Sequence, residues 1–84
     1  METIKKEETY KYKDRLFKIK VTEEEDGFHV RATDEVTKKQ VDHGKCSHEN
    51  YIEIRKRGLS GDPVEAIIEV IRKTISLWID KGLI

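Results

Sequence analysis

Cysteine is almost missing from this chain of 84 residues: Cys46 stands alone, so no disulfide can close within it. Proline is as scarce, with Pro63 the sole example, and the five glycines are scattered. Proline-rich linkers, collagen-like repeats and flexible glycine tracts are thereby excluded. No apolar run approaches the roughly 20 residues that a membrane-spanning helix needs. The first residues are rich in Lys and Glu, unlike a secretory signal, so a cytoplasmic protein is expected. Neither sign of charge dominates, since 17 Lys and Arg face 17 Asp and Glu. A dedicated nucleic-acid binder is usually basic overall, and the balance argues against that class while leaving room for a local basic face. The length fits a single domain over residues 1–84 with a modest core and a thin stability margin, which self-association would help. Residues 1–8 are polar and expected to fray.

What is present is clearest near the C-terminus. Asp62 is a good helix N-cap, Pro63 fits the first helical position, and Glu65 completes the spacing of a capping box. Gly82 supplies a stop, with Lys81 at the negative helix end. The spacing predicts a helix over residues 63–81. At about 100° per residue, Val64, Ile67, Ile68, Ile71, Ile75, Trp78 and Ile79 fall in one arc of about 120°. Ala66, Val70 and Leu77 fall together outside that arc and widen the apolar sector to about 220°. One sheet covers one side of a helix. The flank of Ala66, Val70 and Leu77 must therefore be covered by the N-terminal segment or a loop, form a seam with another copy, or stay exposed.

Strands precede the helix. Phe17, Ile19 and Val21 alternate with Lys18, Lys20 and Thr22; Phe28, Val30 and Ala32 alternate with His29, Arg31 and Thr33. Asp26-Gly27 between them signals a hairpin. Tyr10 and Tyr12 alternate with lysines and suggest an extended start. Lys13-Asp14-Arg15 either turns or continues the strand. Residues 34–50 contain only Val36 and Val41 as aliphatics. They read as a turn at Asp34-Glu35, a strand near residues 38–41 and a loop over 42–50. Residues 51–55 alternate and read as a strand, with a short helix starting near Ser47 as the alternative. Residues 58–61 form the turn into the last helix. The expected fold is α+β: a small antiparallel sheet of three to five strands with one long C-terminal helix packed on one face.

Three groups of residues could carry function. Lys18, Lys20, His29 and Arg31 project from the sheet face opposite the core. Such a basic face can grip phosphates, or it can be a solvated surface balanced by the acidic run Glu23 to Asp26. His43, Cys46 and His48 are all metal-ligand types. They form one cluster without a second distant pair, although His29 could act as a remote partner, so a plain polar loop is the simpler reading and no metal or other cofactor is expected. Cys46 has no visible oxyanion site or orienting residue beside it, and nothing assembles a nucleophile, base and orienter.

One resemblance adds to this. Leu16-Phe17-Lys18-Ile19-Lys20-Val21, followed by Glu24-Glu25-Asp26-Gly27-Phe28-His29-Val30, is similar to the opening hairpin of HicB-like antitoxin domains. Ser60-Gly61-Asp62-Pro63-Val64-Glu65-Ala66-Ile67 resembles the Gly-Asp-Thr-x-Glu-Glu-Ala-Leu start of that family's main helix. The chain departs from the family at Thr33-Asp34-Glu35-Val36, where a loop bearing proline and glycine is usual, and residues 34–57 make a longer stretch than expected. It also ends soon after the helix, without the family's DNA-binding appendage. The resemblance implies a sandwich partly like a double-stranded-RNA-binding domain, which oligomerises and occludes a small ribonuclease without catalysing anything itself. The expectation is thus a non-enzymatic, self-associating interaction module, a homodimer with an antitoxin-like or inhibitory role. A nucleic-acid-binding module using the basic sheet face is the alternative.

Overall fold

Alternation sorts Phe17-Lys18-Ile19-Lys20-Val21 and Phe28-His29-Val30-Arg31-Ala32 into apolar and polar faces. In the computed structural model, which describes residues 3–57 and 62–84, these segments lie in the central strands β2 (Arg15–Glu23) and β3 (Gly27–Asp34). Phe17, Ile19, Val30 and Ala32 are wholly buried. β1 (Thr3–Tyr12) pairs with β2, and β4 (Gln40–Ser47) pairs with β3. The four antiparallel strands lie in the order β1-β2-β3-β4. Among the described residues two helices follow, α1 (His48–Lys56) and α2 (Pro63–Asp80). The chain thus has the expected α+β architecture of an antiparallel sheet and a long C-terminal helix.

α2 begins and ends where its sequence directs. The Asp62 carboxylate accepts from the Val64 N–H at 2.8 Å, with Pro63 beside it in the first turn. At the far end Gly82 adopts φ 71°; its N–H donates to Ile79 O at 3.0 Å, and that of Leu83 to Trp78 O at 2.8 Å. That pair of bonds is a Schellman stop, which favours glycine at the left-handed position. Glu65, expected to reach back to the cap, instead accepts from Lys6. Val64, Ile68, Ile71 and Ile75 are buried against the sheet, with Ile67 and Ile79 packed at the margin. Burial of each isoleucine contributes about 1.5–3 kcal/mol. Gly44 in β4 lets the helix come close, because a Cβ there would lie 2.7 Å from Cγ2 of Ile67.

The structure corrects three expectations. Residues 3–8 are not frayed: they belong to β1, and their register runs from Thr3 opposite Glu23 to Tyr12 opposite Arg15. Backbone pairing with β2 and side-chain contacts with α2 order this polar segment. Residues 42–47 are not a loop, because β4 continues to Ser47. Residues 51–55 are not a strand but the body of α1. Ser47 caps that helix by accepting from the Asn50 N–H at 3.1 Å, as the alternative reading required. Tyr51 and Ile54, three apart, are half-buried while Ile52 is exposed, which is a helical pattern. The turn expected over residues 58–61 lies outside the described residues.

The turn after β3 is built around Asp34, which is 4% exposed. Its carboxylate accepts from Arg15 Nη2 at 2.8 Å and from the N–H groups of Val36 and Thr37 at 2.8 and 3.0 Å. The Arg15 guanidinium, then the backbone donors, hold this carboxyl below its ordinary value of 3.8. A depressed folded value gives stability that is present above the ordinary value and lost as the pH falls through the folded one. We expect Asp34→Ala to cost about 2–4 kcal/mol at neutral pH, with a smaller deficit at pH 3, measured by urea unfolding at both. Gly44→Val should cost about 1–3 kcal/mol in the same assay by pushing Ile67 away from β4.

Candidate functional site

α2 has three sides with different fates. Its apolar stripe meets the core. Its polar flank leans over β1, whose inward residues answer it in order: Lys6 donates to Glu65, Arg72 donates to Glu8, and Tyr10 shares a hydrogen bond with Ser76. Tyr12 Oη donates to both oxygens of Asp80 at 2.9 Å, and Lys13 Nζ reaches Asp80 at 2.7 Å. Lys13 and Tyr12 lower the Asp80 pKa through these bonds. A strand's inward residues recur every second position and a helix side every third or fourth, so a parallel strand and helix can match over several turns. The alternation of Tyr10 and Tyr12 marks the end of this rail as extended, but the pairing with α2 has no signal in the sequence, and Lys6 and Glu8 lie in a segment whose polarity predicts fraying.

The third side is open. Ala66, Val70 and Leu77 lie within about 40° of one another on the helix wheel and point away from the core. Val70 is 61% and Leu77 50% exposed, and Ala66 is exposed as well. Among the described residues no strand or loop covers this ridge. A groove borders it on the β4 side, apolar along Gly44, Ala66, Ile67 and Val70 and rimmed by Asp42, His43 and Lys45.

Lys18, Lys20, His29 and Arg31 share the outer face of the sheet, as alternation requires, with Lys20 opposite Arg31 and Thr22 opposite His29. They do not form a bare basic surface. Lys18 lies 3.0 Å from Glu7 and 3.9 Å from Glu35. Arg31 donates to Thr22 Oγ1 at 3.1 Å and lies 3.3 Å from Glu24. His29 is 8% exposed, and burial, then the Arg31 charge, lowers its pKa. β1 brings Glu7 to this face opposite Lys20.

The trio His43, Cys46 and His48 is dispersed. On a strand, positions three apart face opposite ways. His43 lies on the outer face, with Nδ1 3.1 Å from Nε2 of His29. Cys46 is buried on the other side, and burial pushes its thiol pKa up. His48 starts α1 and sits 3.1 Å from Glu23. The His29–His43 contact joins the remote partner with only one member of the trio. Among the described residues no set of three or more His, Cys, Asp or Glu converges on a metal position. No described helix is long and apolar enough to cross a membrane.

Comparison of the chain with protein families, with curated proteins and with solved structures finds no match. The site must therefore be judged on its own geometry. A buried thiol with a raised pKa is a poor nucleophile. Alkylation of Cys46 by iodoacetamide at pH 8 should be at least roughly tenfold slower in the folded chain than in urea, measured by mass spectrometry over time.

Proposed function

We propose that this chain is a non-enzymatic interaction module that pairs with a second copy of itself through the outward ridge of α2. The observation that carries this reading is the alignment of exposed Ala66, Val70 and Leu77 on one helix ridge. Exposed apolar residues scattered singly are ordinary; several in a row beside an apolar groove are a docking feature. The spacing of the ridge suits a copy of itself. An antiparallel pairing centred between Ile71 and Arg72 sets Leu77 over Ala66 of the partner subunit, large against small. With a rise of about 1.5 Å per residue, Glu69 then comes within one turn of Lys73 of the partner subunit, on the same flank. The zero net charge adds no long-range repulsion between copies.

The HicB-like resemblance gives such a dimer a cytoplasmic, antitoxin-like or inhibitory role, one class within the same reading. Nucleic-acid binding at the outer sheet face is the weaker reading, because Lys18 and Arg31 are held by carboxylates. Light scattering over a concentration series should give a dimer at micromolar concentration. Leu77→Asp and Val70→Asp should each give a monomer with an unchanged circular dichroism spectrum and an intrinsic fold stability within about 0.5 kcal/mol of the parent. Lys73→Glu should weaken the dimer, and adding Glu69→Lys should restore it. A parent chain that stays monomeric at high micromolar concentration would overturn the reading.

A further inference from the structure

β3 and β4 bring two imidazoles together on the outer face of the sheet. His29 lies opposite Lys45 and His43 opposite Arg31, so the histidines are diagonal neighbours across the strand pair. Nε2 of His29 is 3.1 Å from Nδ1 of His43, and the ring centroids are 5.1 Å apart at an interplanar angle of 70°. Two nitrogens that far apart, each about 2.0–2.1 Å from one ion, subtend about 100° at it, within the range that common coordination geometries use. The contact is a hydrogen bond, one ring donating to the other; an ion would take the place of that shared proton after a small outward swing of one ring. His29 is fixed by packing while His43 is exposed, so the pair has one anchored and one accessible member.

A second observation points the same way. Nδ1 of His29 is buried and has no hydrogen-bond partner. Buried polar atoms are seldom left so. The nearest acidic oxygen, Oε2 of Glu24, is 3.7 Å away. A histidine that ligates through Nε2 carries its proton on Nδ1, and metal-bound histidines present that proton to a carboxylate, a backbone carbonyl or water. Glu24 stands where that partner is needed.

We propose that His29 and His43 chelate one borderline divalent cation, of the Cu²⁺, Ni²⁺ or Zn²⁺ class, with water in the remaining positions and Glu24 supporting His29. Two protein ligands make an open, exchangeable site rather than a closed structural one. Arg31 and Lys45 beside it oppose a cation, and Glu24 offsets part of that charge. Among the three ions Cu²⁺ binds most tightly by the usual order of N-ligand affinity. A bound ion fastens β4 to β3 on the face away from α2. The two histidines lie off the helix ridge, although His43 also borders the groove beside it; the metal titration reads the site without reference to self-association.

The test is titration of the metal-free chain with each chloride salt, read by calorimetry, by thermal melting and by the imidazole resonances of His29 and His43. One ion per chain with micromolar affinity is expected, with a melting temperature that rises as metal is added. His43→Ala should weaken binding at least ~10-fold and abolish the rise. His43→Gln keeps the polar bulk and should do the same with an unchanged circular dichroism spectrum. His48→Ala should leave binding intact. Undiminished binding in both His43 variants, or no heat and no melting shift with millimolar metal, would overturn the proposal.

Discussion

One long helix, helped at one end by the short α1, has to serve one face of a four-stranded sheet, and that mismatch of widths governs this structure. Strands about 4.8 Å apart place the two edges about 14 Å from each other, whereas a helix with its side chains spans about 10 Å. α2 meets the difference by lying closest to β4 and β3. Gly44 permits the approach. The gap on the β1 side is then bridged by long polar side chains rather than by aliphatic packing. Lys6, Glu8, Tyr10 and Tyr12 reach Glu65, Arg72, Ser76 and Asp80. These contacts hold an edge strand in register, and they fix which way the helix is rolled. Once the roll is fixed, Val70 and Leu77 can only point outward.

The parts of the fold that were legible in the sequence carry their own local instructions. α2 has a cap, a proline, an apolar stripe and a glycine stop, and each agrees with the others. The hairpin between β2 and β3 has strict alternation around Asp-Gly. β4 and α1 lack such redundancy. Within β4, Val41 is the one aliphatic residue, and the strand exists because β3 offers it a ladder of partners from Gly27 to Thr33. In α1, alternation over residues 51–55 imitates a strand, yet Ser47 and the docking of Tyr51 on Phe28 at 5.1 Å favour a helical turn. Tyr10 and Tyr12 marked the end of β1 as extended, but its first half could not be foreseen from hydrophobic pattern, since Lys6 and Glu8 on its inward side are charged.

The same reasoning explains the candidate surfaces. Lysines and arginines on β2 and β3 left two readings open, a basic face or one balanced by the run Glu23 to Asp26; Glu24 does return onto Arg31, while the contribution of Glu7 from β1 had no signal in that hairpin. Charge on a sheet surface is a property of three or four strands at once, and cross-strand pairs decide its sign. The histidine and cysteine cluster read more simply as a polar loop than as a common site; the segment is the strand β4 instead, and strand geometry sends His43 and Cys46 to opposite faces. It places His43 beside His29, fourteen residues away in sequence. The helix flank was legible because it needed only the wheel of one well-defined element.

The two edges of the sheet end up unlike each other. β1 carries Lys5, Lys6 and Lys11, together with a register shift between Ile4 and Lys6. Lysines and bulges are the usual guards against edge pairing. β4 has a single lysine, and among the described residues nothing pairs with its outer edge. The apolar groove of α2 runs beside it. The polar rail joins β1 to one flank of α2; the ridge runs between that flank and β4, with Leu77 bordering the β1 side and Ala66 and Val70 the β4 side. The ridge and the imidazole pair lie on opposite sides of the sheet. His43 also lines the groove, so an ion between His29 and His43 would stiffen the wall that the groove shares with β4. Self-association and metal binding would then be coupled through β4, the strand that borders both.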